Sequence, residues 1–270
     1  MSVRAALSLL AGLRTTHFGL RQAAQSLTQI GKPRNASKQH QMYSCIFFDL
    51  DHTLWDYETN SRQTLDELYQ HYNLATHGVP DAEQFHRRFQ EVNTQLWDRY
   101  DRGLIDSGVI RKERFKQILE AFNAYNAGLS EQISHDYLYS CPQKTNLIPH
   151  ALETLAYLSP RYHLTVVTNG FEEIQHQKLK AGNMASYFNH IVTSQRAGHK
   201  KPAREIFDYA MRANKVECHQ VIMIGDNLAT DIAGARNASI HTVFFNPDKR
   251  EHQEVVTHEI EHLSQLRELL

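Results

Sequence analysis

Four apolar residues, Cys45 to Phe48, run straight into Asp49-Leu50-Asp51-His52-Thr53. No other stretch constrains the chain as much. The run is too short for a helix and rich in aromatic and β-branched residues. It reads as a strand buried on both faces, as strands of a parallel sheet are. In open α/β sheets ligands sit beyond the carboxyl ends of the strands, where Asp49 and Asp51 fall. Two carboxylates this close repel unless a cation or a proton relieves them. A hard divalent metal meets that need. The plain alternative is an Asp-rich turn, and the rest of the chain decides between the two.

After Trp55 the hydrophobic period becomes helical. Helices are expected over 60–72, 81–100 (Asp81 as N-cap), 109–125 and 130–139 (Ser130 as N-cap). This all-helical insertion is either a bundle packed on the sheet or a lid over the carboxylates. Its connections around 55–57 and 141–148 are the expected hinges. Strands and helices then alternate. Helices are expected over 149–158 (with Pro149 in the first turn), 172–180, 203–214, 228–237 and 260–269, and strands over 163–167, 190–193, 221–224 and 240–245. The pattern predicts an α/β fold: a Rossmann-like, three-layer parallel-sheet core, 42–56 and 146–270, interrupted by a helical cap domain, 57–145.

The polar residues that stand out sit at or just beyond strand ends: Asp49, Asp51 and Thr53; Thr168 and Asn169; Lys201; and Asp226, Asn227 and Asp231. In a parallel sheet these ends share one edge. Alone, Thr168-Asn169-Gly170 is an ordinary turn, Lys201-Pro202 a helix boundary, and Asp231 a first-turn charge favoured by the helix dipole. Together they suit phosphoryl transfer through an aspartyl-phosphate. Mg²⁺ takes one or two carboxylates plus other oxygens, which suits Asp49 and Asp226, with the Leu50 carbonyl a further ligand. Lys201 offsets carboxylate charge, Thr168 and Asn169 donate to phosphate oxygens, and Asp51 serves as general acid and then base.

Composition closes other routes. The chain has 270 residues, a net charge of −1 and 41% hydrophobic residues, so neither a nucleic acid nor a membrane is an expected partner. No apolar run approaches the ~20 residues of a membrane span. Cys45, Cys141 and Cys218 are isolated, and the 17 histidines form no metal motif. Residues 1–40 carry Arg4, Arg14, Arg21, Lys32, Arg34 and Lys38, with no acid before Asp49. This segment reads as an organelle transit peptide, or as a disordered tail or a translated upstream stretch ahead of a true start at Met42. The expected location is cytoplasmic, or mitochondrial if the transit reading holds.

As a set, the motifs resemble those of the haloacid dehalogenase superfamily, in the order Asp49-Leu50-Asp51-His52-Thr53, Thr168-Asn169-Gly170, Lys201-Pro202, and Gly225-Asp226-Asn227 with Asp231. The resemblance covers about residues 43–270 and implies a type-1 helical cap. It implies Asp49 as nucleophile, Asp51 as general acid/base, and Asp49, Asp51 and Asp226 at a Mg²⁺ site. Thr168, Asn169 and Lys201 would bind the phosphoryl group, with Thr53, Asn227 and Asp231 in support. Asp51 favours a phosphatase or phosphomutase over a dehalogenase. The flanks, Phe47 to Asp56, Asn60-Ser61 and Phe244-Phe245-Asn246-Pro247, are similar to the pyrimidine 5′-nucleotidase branch. That implies a small pyrimidine nucleotide as substrate and a monomer or weak homodimer. The rivals are a phosphoglycolate or sugar-phosphate phosphatase, a phosphomutase and an idle scaffold. Trp55, Tyr57, Trp97 and Tyr100 are candidates to stack on a base.

Overall fold

The computed structural model describes residues 42–270, and the readings of residues 1–41 lie outside the described residues. Strand β1, Cys45–Phe48, is buried at every position. Its side chains alternate between faces, as strand geometry requires. Ile46 and Phe48 join one apolar cluster, Cys45 and Phe47 another.

Four helices follow: α1, Tyr57–His71; α2, Ala82–Asp101; α3, Ser107–Ala121; and α4, Ala127–Ser140. Each begins where an Asp or Asn side chain accepts a backbone N–H of the first turn: Asp56, Asp81, Asp106 and Asn126. Ser130, expected to cap α4, lies inside it, because Asn126 Oδ1 accepts from Leu129 N at 2.9 Å and starts the helix earlier. Phe85, Phe89, Phe115 and Ile133 fill the space between these helices. The insertion leaves and rejoins the core through adjacent segments, with Asp56 N bonded to Asn146 O and Ile148 N to Leu54 O.

The remaining elements are α5, Ala151–Leu158; β2, His163–Thr168; α6, Glu172–Ala181; β3, His190–Thr193; α7, Ser194–Ala197; α8, Arg204–Asn214; β4, Val221–Gly225; α9, Ala233–Asn237; β5, His241–Phe245; β6, His258–Ile260; and α10, Leu266–Leu269. The sheet order is β3-β2-β1-β4-β5-β6, with every pair parallel. Helix α8 packs Ile206, Phe207 and Ala210 on one face of the sheet, and α5 packs Ala151, Leu155 and Leu158 on the other.

Three expectations change. Pro149 precedes α5, which starts at Ala151 after His150 in a left-handed conformation. The helix expected over 260–269 is preceded by β6. Ile260, Leu263 and Leu266 have helical spacing, but the open edge of β5 takes His258–Ile260 as a strand. The helix expected over 228–237 opens with a wider π turn, Leu228–Ile232, in which Ile232 N bonds to Asn227 O at 3.2 Å. Such widened turns favour functional sites, and this one brings Asp231 against β4. A Cβ at Gly225 would lie 2.3 Å from Asp231 Oδ2, so only glycine allows the approach. No helix of the described residues is long and apolar enough to cross a membrane.

Candidate active site

The sheet order sets the ends of β2, β1 and β4 side by side. Asp49 and Asp51 follow β1, Thr168 ends β2 with Asn169 next, and Asp226 follows β4. Lys201 arrives from the loop before α8 and is 2% exposed. Its ammonium pairs with Asp49 Oδ1 and lies 2.7 Å from Asp231 Oδ1. Asp49, Asp226 and Asp231 each offer an oxygen within 4.8 Å of the others. Thr53 donates to Asp226 Oδ1 at 3.1 Å, and Asn227 N to Asp231 Oδ2 at 3.1 Å. Both oxygens of Asp231 are therefore held. Asp49 Oδ2 and Asp226 Oδ2 accept no hydrogen bond among the described residues.

Charge at this cluster is unbalanced. Burial pushes the Asp49 carboxyl up to about 8, with Lys201 opposing and Asp231 and Asp226 reinforcing. Burial and the Asp231 charge push Asp226 up to about 7. Burial alone would lower Lys201, but Asp231 and Asp49 outweigh it and hold the ammonium charged. Three carboxylates facing one ammonium, with two bare oxygens, fit a hard dication.

Asp51 stands apart from that group. Lys178 Nζ donates to its Oδ1 at 2.5 Å and Gln175 Nε2 to its Oδ2 at 2.9 Å. Burial alone would raise its pKa, but the Lys178 charge and these hydrogen bonds outweigh it and lower it. Lys178 and Gln175 hold both carboxylate oxygens of Asp51, so a place for it among the metal residues would have to come through its backbone carbonyl. The expectation of the Leu50 carbonyl as a ligand is corrected. It accepts from Leu54 N and Trp55 N, both at 2.9 Å, and has no lone pair left for a metal.

Thr168 Oγ1 accepts from Gly170 N at 3.0 Å and Gln175 Nε2 at 3.1 Å, which leaves its own proton to donate. A Cβ at Gly170 would lie 1.6 Å from Gln175 Nε2, so a side chain here would displace the Gln175 amide from Thr168 and Asp51. Asn169 differs from expectation. Its Oδ1 accepts from Lys201 N at 2.8 Å, and its Nδ2 donates to Lys201 O and Asp101 Oδ1, both at 2.9 Å. Its side-chain amide clasps the Lys201 segment, so a hydrogen bond from Asn169 to a phosphate would have to come from its backbone N–H.

A cavity of about 910 Å³ extends from these groups to the inserted helices. Tyr57 and Trp97 line it; Trp55 and Tyr100 do not. Trp55 is fully buried, donates Nε1 to Lys144 O at 3.2 Å, and holds the Lys178 ammonium 4.4 Å from its ring centroid. Tyr100 meets Trp97 edge-on and places its hydroxyl 3.2 Å from Ser194 Oγ. Trp97 stacks on Phe171 with centroids 5.6 Å apart.

Sequence reasoning missed Gln175, Lys178 and Asp101. The first two are one helical turn apart on the inner stripe of α6, beside Leu179. A charge on a buried stripe is the signal that marks them, but the polar residues on either side in Glu172–Ala181 mask it.

The family described as haloacid dehalogenase-like hydrolase matches residues 46–245. The chain is 31% identical over 228 residues to pyrimidine 5′-nucleotidase YjjG of Escherichia coli (strain K12), covering 83% of this chain and 96% of that protein. It is 28% identical over 207 residues to pyrimidine 5′-nucleotidase PynA of Streptococcus pneumoniae, covering 76% and 84%. Among solved structures it is similar to the HAD-hydrolase YfnB of Bacillus subtilis, bound to magnesium. There the TM-score is 0.76 at 25% identity, covering 84% of this chain and 98% of that one.

Proposed function

The chain belongs to the haloacid dehalogenase-like hydrolases and is a phosphoric monoester hydrolase, and from that premise we propose that it is a Mg²⁺-dependent 5′-nucleotidase of pyrimidine nucleoside monophosphates. One observation carries the chemistry: a buried three-carboxylate cluster, pinned by Lys201, in which Asp49 Oδ2 and Asp226 Oδ2 remain free. The substrate class rests on the likeness to YjjG, along nearly the whole of that protein. A magnesium-bound neighbour supports the metal.

Asp49 and Asp226 would hold the ion, and Asp231, its oxygens already taken, keeps Lys201 in place beside them. When bound, the ion neutralises charge on the cluster and on the phosphate oxygens. Lys201 pins the Asp49 carboxylate in place, so that it can attack phosphorus while also helping to hold the ion. The bond from phosphorus to the ester oxygen breaks as the aspartyl-phosphate forms. Asp51 gives its proton to the departing oxygen. A phosphate dianion brought beside Asp51 raises its hold on that proton against the lowering effect of Lys178. Asp51, now a carboxylate, takes a proton from the water that attacks phosphorus, which releases phosphate and restores Asp49. Thr168 donates its free proton to a phosphoryl oxygen. Helices α1–α4 act as a cap that excludes water and meets the nucleoside.

The test is phosphate release from purified protein with Mg²⁺, across pyrimidine and purine monophosphates, sugar phosphates and phosphoglycolate. Asp49→Asn and a chelator-treated sample are the blanks. We expect dUMP, UMP or dTMP to lead and both blanks to be inactive. Activity retained in Asp49→Asn refutes the mechanism; preference for another ester discards the substrate class alone.

A further inference from the structure

Arg114, on α3, is 2% exposed and lines the cavity. Its Nη1 donates to Asn93 Oδ1 at 3.2 Å. Among the described residues its Nε and Nη2 have no hydrogen-bond partner and no carboxylate pairs with it. The guanidinium lies 4.5 Å from the Tyr137 ring centroid and 5.4 Å from those of Phe89 and Phe115. A buried guanidinium without an anion is costly, and three aromatic faces offset only part of that. The two orphaned donors share one edge of the guanidinium fork, the edge that takes planar acceptors side-on.

The surroundings hold Arg114 in place. Asn93 Nδ2 donates to Tyr57 Oη at 3.1 Å, and Tyr57 Oη lies 3.3 Å from Tyr137 Oη. Ser61 Oγ completes the chain, 2.9 Å from Tyr137 Oη. Burial keeps the Tyr57 and Tyr137 hydroxyls protonated, so neither becomes the missing anion. Tyr57 also lies 5.7 Å from the Lys178 ammonium that holds Asp51. The contacts that hold the Arg114 guanidinium therefore reach the vicinity of the lysine that holds Asp51.

We propose that the Nε–Nη2 edge of Arg114 is a specificity subsite that reads an acceptor oxygen on the leaving group. The oxygen is a ring carbonyl when the leaving group is a pyrimidine nucleoside, which rests on the reading above, or a carboxylate when it is a sugar acid. The phosphate has its own partners at Asp49, Lys201 and Thr168, so Arg114 serves the other end of the ester. A site whose buried donors go unpaired discriminates strongly against analogues that lack the acceptor.

The test compares kcat/KM for dUMP, phosphoglycolate and phenyl phosphate in the wild type, Arg114→Met and Arg114→Lys. Phenyl phosphate bears no acceptor beyond the phosphate itself. In the wild type, dUMP should outrun it. In Arg114→Met the ratio of dUMP to phenyl phosphate should fall by about tenfold or more, the scale of a lost oriented hydrogen bond. Arg114→Lys, which keeps charge but loses the fork, should fall partway. Methionine replaces an uncompensated charge, so Tm should hold or rise, whereas a purely structural arginine would lower it. If the wild type prefers phosphoglycolate, the nucleotide reading fails. The subsite then stands only if Arg114→Met erases the preference over phenyl phosphate. An unchanged ratio, equal losses on all three esters, or a wild type that prefers phenyl phosphate each overturn it. If Arg114→Met does not fold, Arg114→Lys carries the same ratio test.

Discussion

At the residue scale the site is governed by which carboxylate oxygens are already taken. Lys201 holds Asp49 and Asp231, whereas Lys178 and Gln175 hold Asp51. Four acids near one another in the sequence pattern are thus sorted into separate tasks. Lys178→Met should free Asp51 from its place and lower kcat about 10- to 100-fold, part of what a general acid contributes. KM should change little, since Lys178 touches no phosphate partner. Steady-state kinetics on dUMP separate the two, and a rise in KM alone would move Lys178 into substrate binding. The raised pKa values of Asp49 and Asp226 set a pH dependence. In the metal-free protein the folded state keeps protons that the unfolded chain gives up near pH ~4. The resulting stability is full at low pH and is lost as pH rises through about 7 and about 8. Mg²⁺ displaces those protons, so the Tm gained from Mg²⁺ should be larger near pH ~8 than near pH ~6. Equal gains in a thermal-shift assay would remove these two carboxylates from the metal site.

At the element scale the decisive feature is the π turn after β4. A regular helix from Leu228 would meet the sequence pattern, but the widened turn carries Asp231 under Gly225. Gly225→Ala should collide with Asp231 and destabilise the fold by about 1–3 kcal/mol. Activity should fall as well, because Asp231 would lose its contact with Lys201. Urea denaturation and kinetics on the same variant check both, and a stable, active variant would show that the turn relaxes without cost. The N-caps at Asp56, Asp81 and Asp106 follow ordinary capping chemistry. Asn126 shows how a single side-chain bond moves a boundary that apolar spacing leaves open.

At the scale of the whole molecule, the cavity is closed on one side by the sheet edge and on the other by α1–α4, which meet in several side-chain contacts. Asp101 of α2 bonds Asn169, Trp97 stacks on Phe171, and Arg111 lies 4.2 Å from the Phe171 centroid. Trp97→Ala should raise KM for dUMP about tenfold by removing an aromatic wall worth about 1–3 kcal/mol per stacked base. An unchanged KM would assign Trp97 to packing alone. The sequence by itself determined the parallel sheet, the helical insertion and the positions of Asp49, Thr168, Lys201 and Asp226. Strand-length apolar runs and polar strand ends are local signals, and parallel strands align their ends by geometry. Pairings across long separations were decided only by the tertiary structure. Lys178 reaches Asp51, Asn169 closes on Lys201, β5 recruits His258–Ile260, and Arg114 is buried with no carboxylate partner among the described residues. None of these has a periodic or spacing signature, because each depends on which surfaces meet once the core has packed.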